Sequence, residues 1–336
     1  MTKRLKEIDF LYTLGTILVI FGHSHSSDWT RIVGTPYEYI NSFIYTFHMP
    51  LFFFISGFLL MNSGRIMRIG YGKWLGEKAL KIFVPYCFLT AIFLFPAIFL
   101  FPKMRMDTGK WIDPGYMIKA FLQPRSNVWG HLWFLPVLFF CFLFFGLWQV
   151  LVNKRNQILC SIPIIVSTVA LYFLPLNTAW FGFTDFRSFA LFFVFGMVAK
   201  VLINADKIHL SLTSKVLTII SGLALSFLLY VFAYTSIFAK LGMAVLMLIV
   251  CYNTATLISE NSFCTWISKH NYTIYLYSWP AQAAVMMVCD RFNIGWLITF
   301  LLMFTFGIAF PVVLILIYEK IPKIHNRFFD MVLGVK

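Results

Sequence analysis

Charge is scarce in this chain. Of its 336 residues, 13 are Asp or Glu and 27 are Lys or Arg, so that only 12% are charged. Soluble globular domains carry about 25%, and the shortage excludes a soluble enzyme. Nucleic acid is excluded as a partner despite the net charge of +14, because the basic residues sit in short segments between apolar runs. Paired cysteines are missing as well. Cys87, Cys141, Cys160, Cys251, Cys264 and Cys289 are scattered without a CxxC pair. That excludes a disulfide framework and a zinc site and leaves them as small buried hydrophobes. No small-residue cleavage site closes the first apolar run, which reads as a retained span and not as a signal peptide. No internal repeat and no appended soluble domain are evident, so one membrane domain is expected over residues 1–336.

What fills the chain instead is apolar surface. Hydrophobic residues make up 60%, phenylalanine alone supplies 40 positions, and the mean hydropathy is +0.81. The fold class is therefore an all-α integral membrane protein. A span needs about 20 mostly apolar residues, and ten segments qualify: 8–26, 41–62, 79–101, 132–152, 158–175, 187–203, 212–232, 238–258, 271–290 and 294–319. With the N-terminus inside, 18 of the 27 basic residues fall in cytoplasmic segments. Five of the other nine lie in the long outer loop 102–131. This bias agrees with the positive-inside rule and places both termini in the cytoplasm. The loop 102–131 is long enough to hold a surface helix or to cover a site.

The topology locates the histidines. His23 and His25 close the first span at its outer end, His48 lies about two turns into the second from the same side, and His131 opens the fourth. His209, His270 and His325 fall towards the inner side. An interfacial histidine is either an amphipathic anchor or a functional group. His23 follows an unbroken apolar run, and polar groups at such depth are costly and often functional. Metal is a poor reading of His23 and His25, because two residues apart on a helix they point about 200° away from each other. General-base chemistry suits histidine better, since its ordinary pKa lies near neutrality and it can take a proton from an attacking hydroxyl. At the inner side, Arg68, Lys73, Lys78 and Lys81 read either as an ordinary positive-inside loop or as a grip on the phosphates of an acyl donor. Arg187 at the outer start of the sixth span reads equally as a snorkelling anchor or a site residue. Trp29, Trp129 and Trp133 read as interfacial anchors or as platforms for a sugar ring.

Six stretches together resemble the acyltransferase-3 family of integral membrane O-acyltransferases, and within it the fucose 4-O-acetylase-like branch. They are "IDFLYTLGTILVIFGH", "FIYTFHMPLFFFISGFLL", "KALKIFVPY", "HLWFLPVLFF", "FRSFALFFVFGM" and "NYTIYLYSWPAQ". The resemblance implies transfer of an acyl group, often acetyl, from cytoplasmic acyl-CoA to a hydroxyl of a cell-surface glycan or its lipid-linked precursor, in the inner or plasma membrane. It assigns the catalytic role to His23. His48, Arg187, Trp133 and Tyr12 are then expected at the substrate, and Arg68, Lys78 and Lys81 at the coenzyme A, with membrane lipid around the helices and no metal. Tyr12 is a departure, standing where the family usually has Arg or Lys, eleven residues before the histidine. Ser278 stands near a position that is often His, and no catalytic role is carried to it. A glycan-intermediate flippase and a noncatalytic family member are the alternative readings. Few mid-span acids and no evident repeat speak against transport.

Overall fold

The computed structural model describes residues 5–99, 114–127, 129–153, 155–207, 210–321 and 326–335. Every regular element among them is helical. In chain order they are α1 (Lys6–Gly22), α2 (Pro36–Tyr45), α3 (His48–Ser63), α4 (Arg65–Ile69), α5 (Tyr71–Phe99), α6 (Pro114–Leu122), α7 (Phe134–Val152), α8 (Gln157–Phe173), α9 (Phe183–Asn204), α10 (Leu212–Ala233), α11 (Ile237–Leu257), α12 (Ser262–Arg291), α13 (Trp296–Lys320) and α14 (Arg327–Leu333). Each of the ten expected segments overlaps helix, the second (41–62) divided between α2 and α3, the first running past the end of α1, and the last two residues of the third lying outside the described residues. Among the described residues six helical runs are long and apolar enough to cross a membrane: Pro36–Ser63, Gly130–Val152, Trp180–Asn204, Leu212–Ala233, Ile237–Leu257 and Trp296–Lys320. This makes the molecule a multi-pass membrane protein. Helices α1, α5, α8 and α12 overlap the other four segments. The loop helix is α6; residues 102–113 of that loop, His209 and His325 lie outside the described residues.

Helix starts follow local chemistry. Thr35 caps α2 by accepting from the Glu38 amide, Pro36 supplies a ready-made first turn, and the Glu38 carboxylate accepts from the Gly34 amide at 2.6 Å. Asn156, Ser211, Asn261 and Asn326 cap α8, α10, α12 and α14 in the same manner.

The chain divides into two compact units, residues 1–62 with 195–322, and residues 63–194 with 323–336. In the first, α1 packs along α12, α12 along α13, and α10 along α11. Ile20, Ile267, Ile274 and Ile315 form an aliphatic core there. Glycine permits the closest approach. A Cβ on Gly196 of α9 would lie 1.9 Å from the Phe54 carbonyl oxygen of α3, so the two backbones touch. In the second unit α5 packs on α7 and α14 on α5. Trp74 is buried where Gly146 leaves room for its ring.

Candidate functional site

Helix α1 ends at Gly22, and its last carbonyls need partners that the helix cannot provide. Side chains from two other helices supply them. Tyr37 Oη donates to the carbonyls of Phe21 (2.9 Å) and Gly22 (3.3 Å), and Tyr45 Oη donates to Gly22 at 3.2 Å. Gln282 of α12 donates through Nε2 to the Ile20 carbonyl (2.8 Å) and to Ser24 Oγ (2.9 Å). Gly22 lacks the Cβ that would meet the Tyr45 ring at 2.9 Å. Beyond the helix, Ser26 Oγ and Ser27 Oγ each donate to Asp290 at 2.6 Å. The segment "HSHSSD" is thus tied to the end of α12.

His23 occupies the position after α1, half-buried, its ring 5.1 Å from Trp279 and 6.2 Å from Tyr45. His25 turns elsewhere, against Trp29 at 4.9 Å and Tyr37 at 6.3 Å. His48 is buried and its ring lies edge-on to that of Tyr45, ring centroids 4.7 Å apart. Its Nδ1 is 3.0 Å from the Ile44 carbonyl, which can only accept. Nδ1 therefore carries a proton, and in the neutral ring Nε2 holds the lone pair. Tyr45 bridges the two expected histidines, and its role was not legible in the sequence.

Further down α1, Tyr12 lies 6.4 Å from the Phe52 ring. A void of about 10 Å³ adjoins Thr16, Val19, Ile20, Phe52, Ile274, Tyr275 and Ser278, alongside α1 between Tyr12 and His23. At the other end of α1, Thr265 donates to Asp9 Oδ2 at 3.5 Å, and Thr13 Oγ1 donates to the carbonyls of Asp9 (2.9 Å) and Cys264 (3.2 Å). Both ends of α1 are therefore fastened to α12 by polar groups, which explains why so polar a helix as α12 is tolerated.

The second unit carries the other expected residues. Trp133 is buried with His131 in a 3-10 turn before α7, and the Arg125 guanidinium stands 3.9 Å above its ring. Arg125 also forms a forked ion pair with Asp185, 2.7 Å at its shortest. Arg187 donates to the carbonyls of Tyr172 (3.1 Å) and Leu174 and to Asn177 Oδ1 (3.3 Å). It serves the end of α8, as a cation at a helix C-terminus should. Lys78 lies over the Phe142 ring at 4.3 Å and 5.8 Å from Trp74, Arg68 is exposed with one long bond to the Ser63 carbonyl, and Lys81 is exposed. Next to them Arg65 grips Glu77 with both nitrogens at 2.7–3.1 Å and holds its carboxyl below the usual value. Among the described residues no three His, Cys, Asp or Glu side chains gather as a metal site.

The structure thus groups Tyr12, His23 and His48 along α1 and α3 of the first unit, and Arg68, Lys78, Lys81, Trp133 and Arg187 within the second. Tyr37, Tyr45, Arg125, Asp290 and Gln282 were not given a role from the sequence.

Residues 5–317 match a family model described as an acyltransferase domain. Two curated relatives are similar in sequence. The nodulation protein NolL of Sinorhizobium fredii is 27% identical over 215 residues, 62% of this chain and 53% of the relative. The nodulation protein NolL of Mesorhizobium japonicum is 29% identical over 143 residues, 41% of this chain and 35% of the relative. The chain thus aligns with about half of one relative and about a third of the other. No solved structure matches.

Proposed function

Because this chain belongs to the acyltransferase-3 family, we propose that it is a ten-span O-acyltransferase of the cell membrane, with both termini cytoplasmic and of the fucose 4-O-acetylase-like branch. It would move an acetyl group from cytoplasmic acetyl-CoA to a hydroxyl of a glycan or lipid-linked glycan. His23 takes the proton of the acceptor hydroxyl. The freed oxygen attacks the thioester carbonyl, the carbon–sulfur bond breaks, and the departing sulfur recovers the proton from the imidazolium. Arg68, Lys78 and Lys81 hold the phosphates of coenzyme A, and Tyr12 lies along the acyl-bearing arm. His48, Trp133 and Arg187 serve the acceptor.

The observation that carries this reading is the construction around His23. Its ring rests between Tyr45 and Trp279, and the carbonyls just before it are bonded by Tyr37, Tyr45 and Gln282. A base held in one place by its surroundings is what proton transfer requires. Membership of the family supports a glycan-type acceptor.

The test uses membranes containing wild type or His23→Ala at matched expression, with radiolabelled acetyl-CoA and mass spectrometry of the cell-surface glycan. Removal of a general base is expected to lower transfer by roughly 10²–10⁴-fold. Unchanged acetylation in the variant would remove His23 from the chemistry.

A further inference from the structure

A cavity of about 530 Å³ lies in the first unit among α3, α9, α10 and α11, and no residue of the candidate site lines it. Its volume is within the roughly 300–1,000 Å³ of small-molecule sites. The wall is apolar for the most part, built from side chains such as Phe54, Leu202, Val245 and Leu248. Two of its polar residues are turned to their own helix: Asn253 Nδ2 donates to the Ile249 carbonyl at 2.9 Å, and Thr256 Oγ1 donates to the Asn253 carbonyl at 2.7 Å. The wall has one charged residue, Lys215.

Lys215 is half-buried, and its Nζ has no ion-pair or hydrogen-bond partner among the described residues. It stands in the first turn of α10, where the helix dipole already favours an anion and disfavours a cation. An unpartnered ammonium at the positive end of a helix, facing an apolar cavity, calls for an amphiphile with a negative head. Helix α10 also leaves most of its apolar surface uncovered, with Leu212, Leu217, Ile220 and Phe227 exposed. In a membrane protein that surface meets lipid.

We propose that this cavity holds the acyl tail of an anionic phospholipid from the surrounding bilayer, its phosphate bound by Lys215. A tail gains no hydrophobic energy on passing from a bilayer into an apolar cavity, because lipid is as apolar as the wall. Selection among lipids therefore falls to the head group. The inference rests on these helices spanning the bilayer and not on acyl transfer.

The experiment is native mass spectrometry of the full chain, purified in detergent and equilibrated with equal phosphatidylglycerol and phosphatidylcholine of matched chain length. Wild type is expected to retain about fivefold more of the anionic lipid, the weight of one cation near an anionic head. Lys215→Ala should bring the two lipids level, and Ala199→Trp, which fills the cavity from its wall, should reduce both. Equal retention by wild type overturns the proposal, as does an anionic preference that survives in Lys215→Ala. Loss of the bound lipid on adding acetyl-CoA also overturns it and assigns the cavity to the thioester. If Ala199→Trp does not fold, Lys215→Ala decides alone, being a change of one half-exposed side chain. His23→Ala should keep the lipid preference of wild type, which separates this proposal from the acyl-transfer reading.

Discussion

Gly196→Ala should destabilise the protein far more than one methyl group suggests. The added Cβ would stand 1.9 Å from the Phe54 carbonyl oxygen, 2.8 Å from its carbon and 2.9 Å from the Phe58 amide nitrogen. Ordinary contact begins near 3.4 Å, so the shortfall is about 1.5 Å. All three atoms belong to the backbone of α3. No rotamer change relieves the clash; the two helices must part. Overpacking of this kind costs typically 1–3 kcal/mol, and a backbone obstacle belongs at the upper end. Alanine returns at most about 1 kcal/mol through its better helix propensity. A net loss of about 2 kcal/mol follows. The control is Gly76→Ala in α5, where a Cβ meets nothing within 4 Å, so that propensity acts alone and stability should rise slightly. Thermal unfolding of the purified variants in one detergent, followed by tryptophan fluorescence, reads both. If Gly196→Ala melts at or above wild type, the close approach of α3 and α9 is wrong, and so is this account of the glycine in "FVFGM".

Gln282→Leu leaves the Ile20 carbonyl with Ser24 Oγ alone and strips Ser24 of its Gln282 contact, at a cost of about 1–2 kcal/mol; acetyl transfer should fall with it, and a variant with wild-type melting and turnover would show that Gln282 does not steady the end of α1. Arg125→Lys keeps the charge but loses the fork on Asp185 and the flat face on Trp133. Its stability should fall by about 1 kcal/mol, read from thermal unfolding and checked against Arg125→Ala, which should be no less destabilised. The Arg65 guanidinium lowers the Glu77 pKa, so this pair stabilises the fold above the unfolded carboxyl pKa of about 4.3 and ceases to do so as pH falls through the lower folded value. Wild type and Glu77→Gln should differ in melting at pH 6 and converge towards pH 3; a gap that persists at the lower pH refutes the assignment.

The helical class and the positions of the helices were legible because run length and apolarity are local properties. Arg187 shows where that legibility stops. From sequence it reads equally as anchor or site residue, and its partners include carbonyls at the end of α8, which no side-chain pattern reveals. Tyr45 was hidden for a different reason. It stands three residues before His48, a spacing that places two residues on one face of a continuous helix, but α2 ends at Tyr45 and α3 begins at His48, so the phase is broken between them. Gln282 required knowledge that α12 lies along α1, more than 250 residues away in the chain.

The same pairing explains why the ninth expected segment, 271–290, carries polar residues in mid-span. Hydropathy measures fitness for lipid, and α12 is a 30-residue helix much of whose polarity faces protein. Thr265 reaches Asp9, the Cys264 carbonyl accepts from Thr13, Gln282 reaches Ile20 and Ser24, and Asp290 gathers Ser26 and Ser27. Each contact replaces water that the bilayer withholds. Gln282 and Asp290, two of the polar residues that weaken the span signal, are therefore among those that fasten the end of α1 and the segment after it around His23. A span that scores poorly for lipid marks the helix against which the candidate base is built.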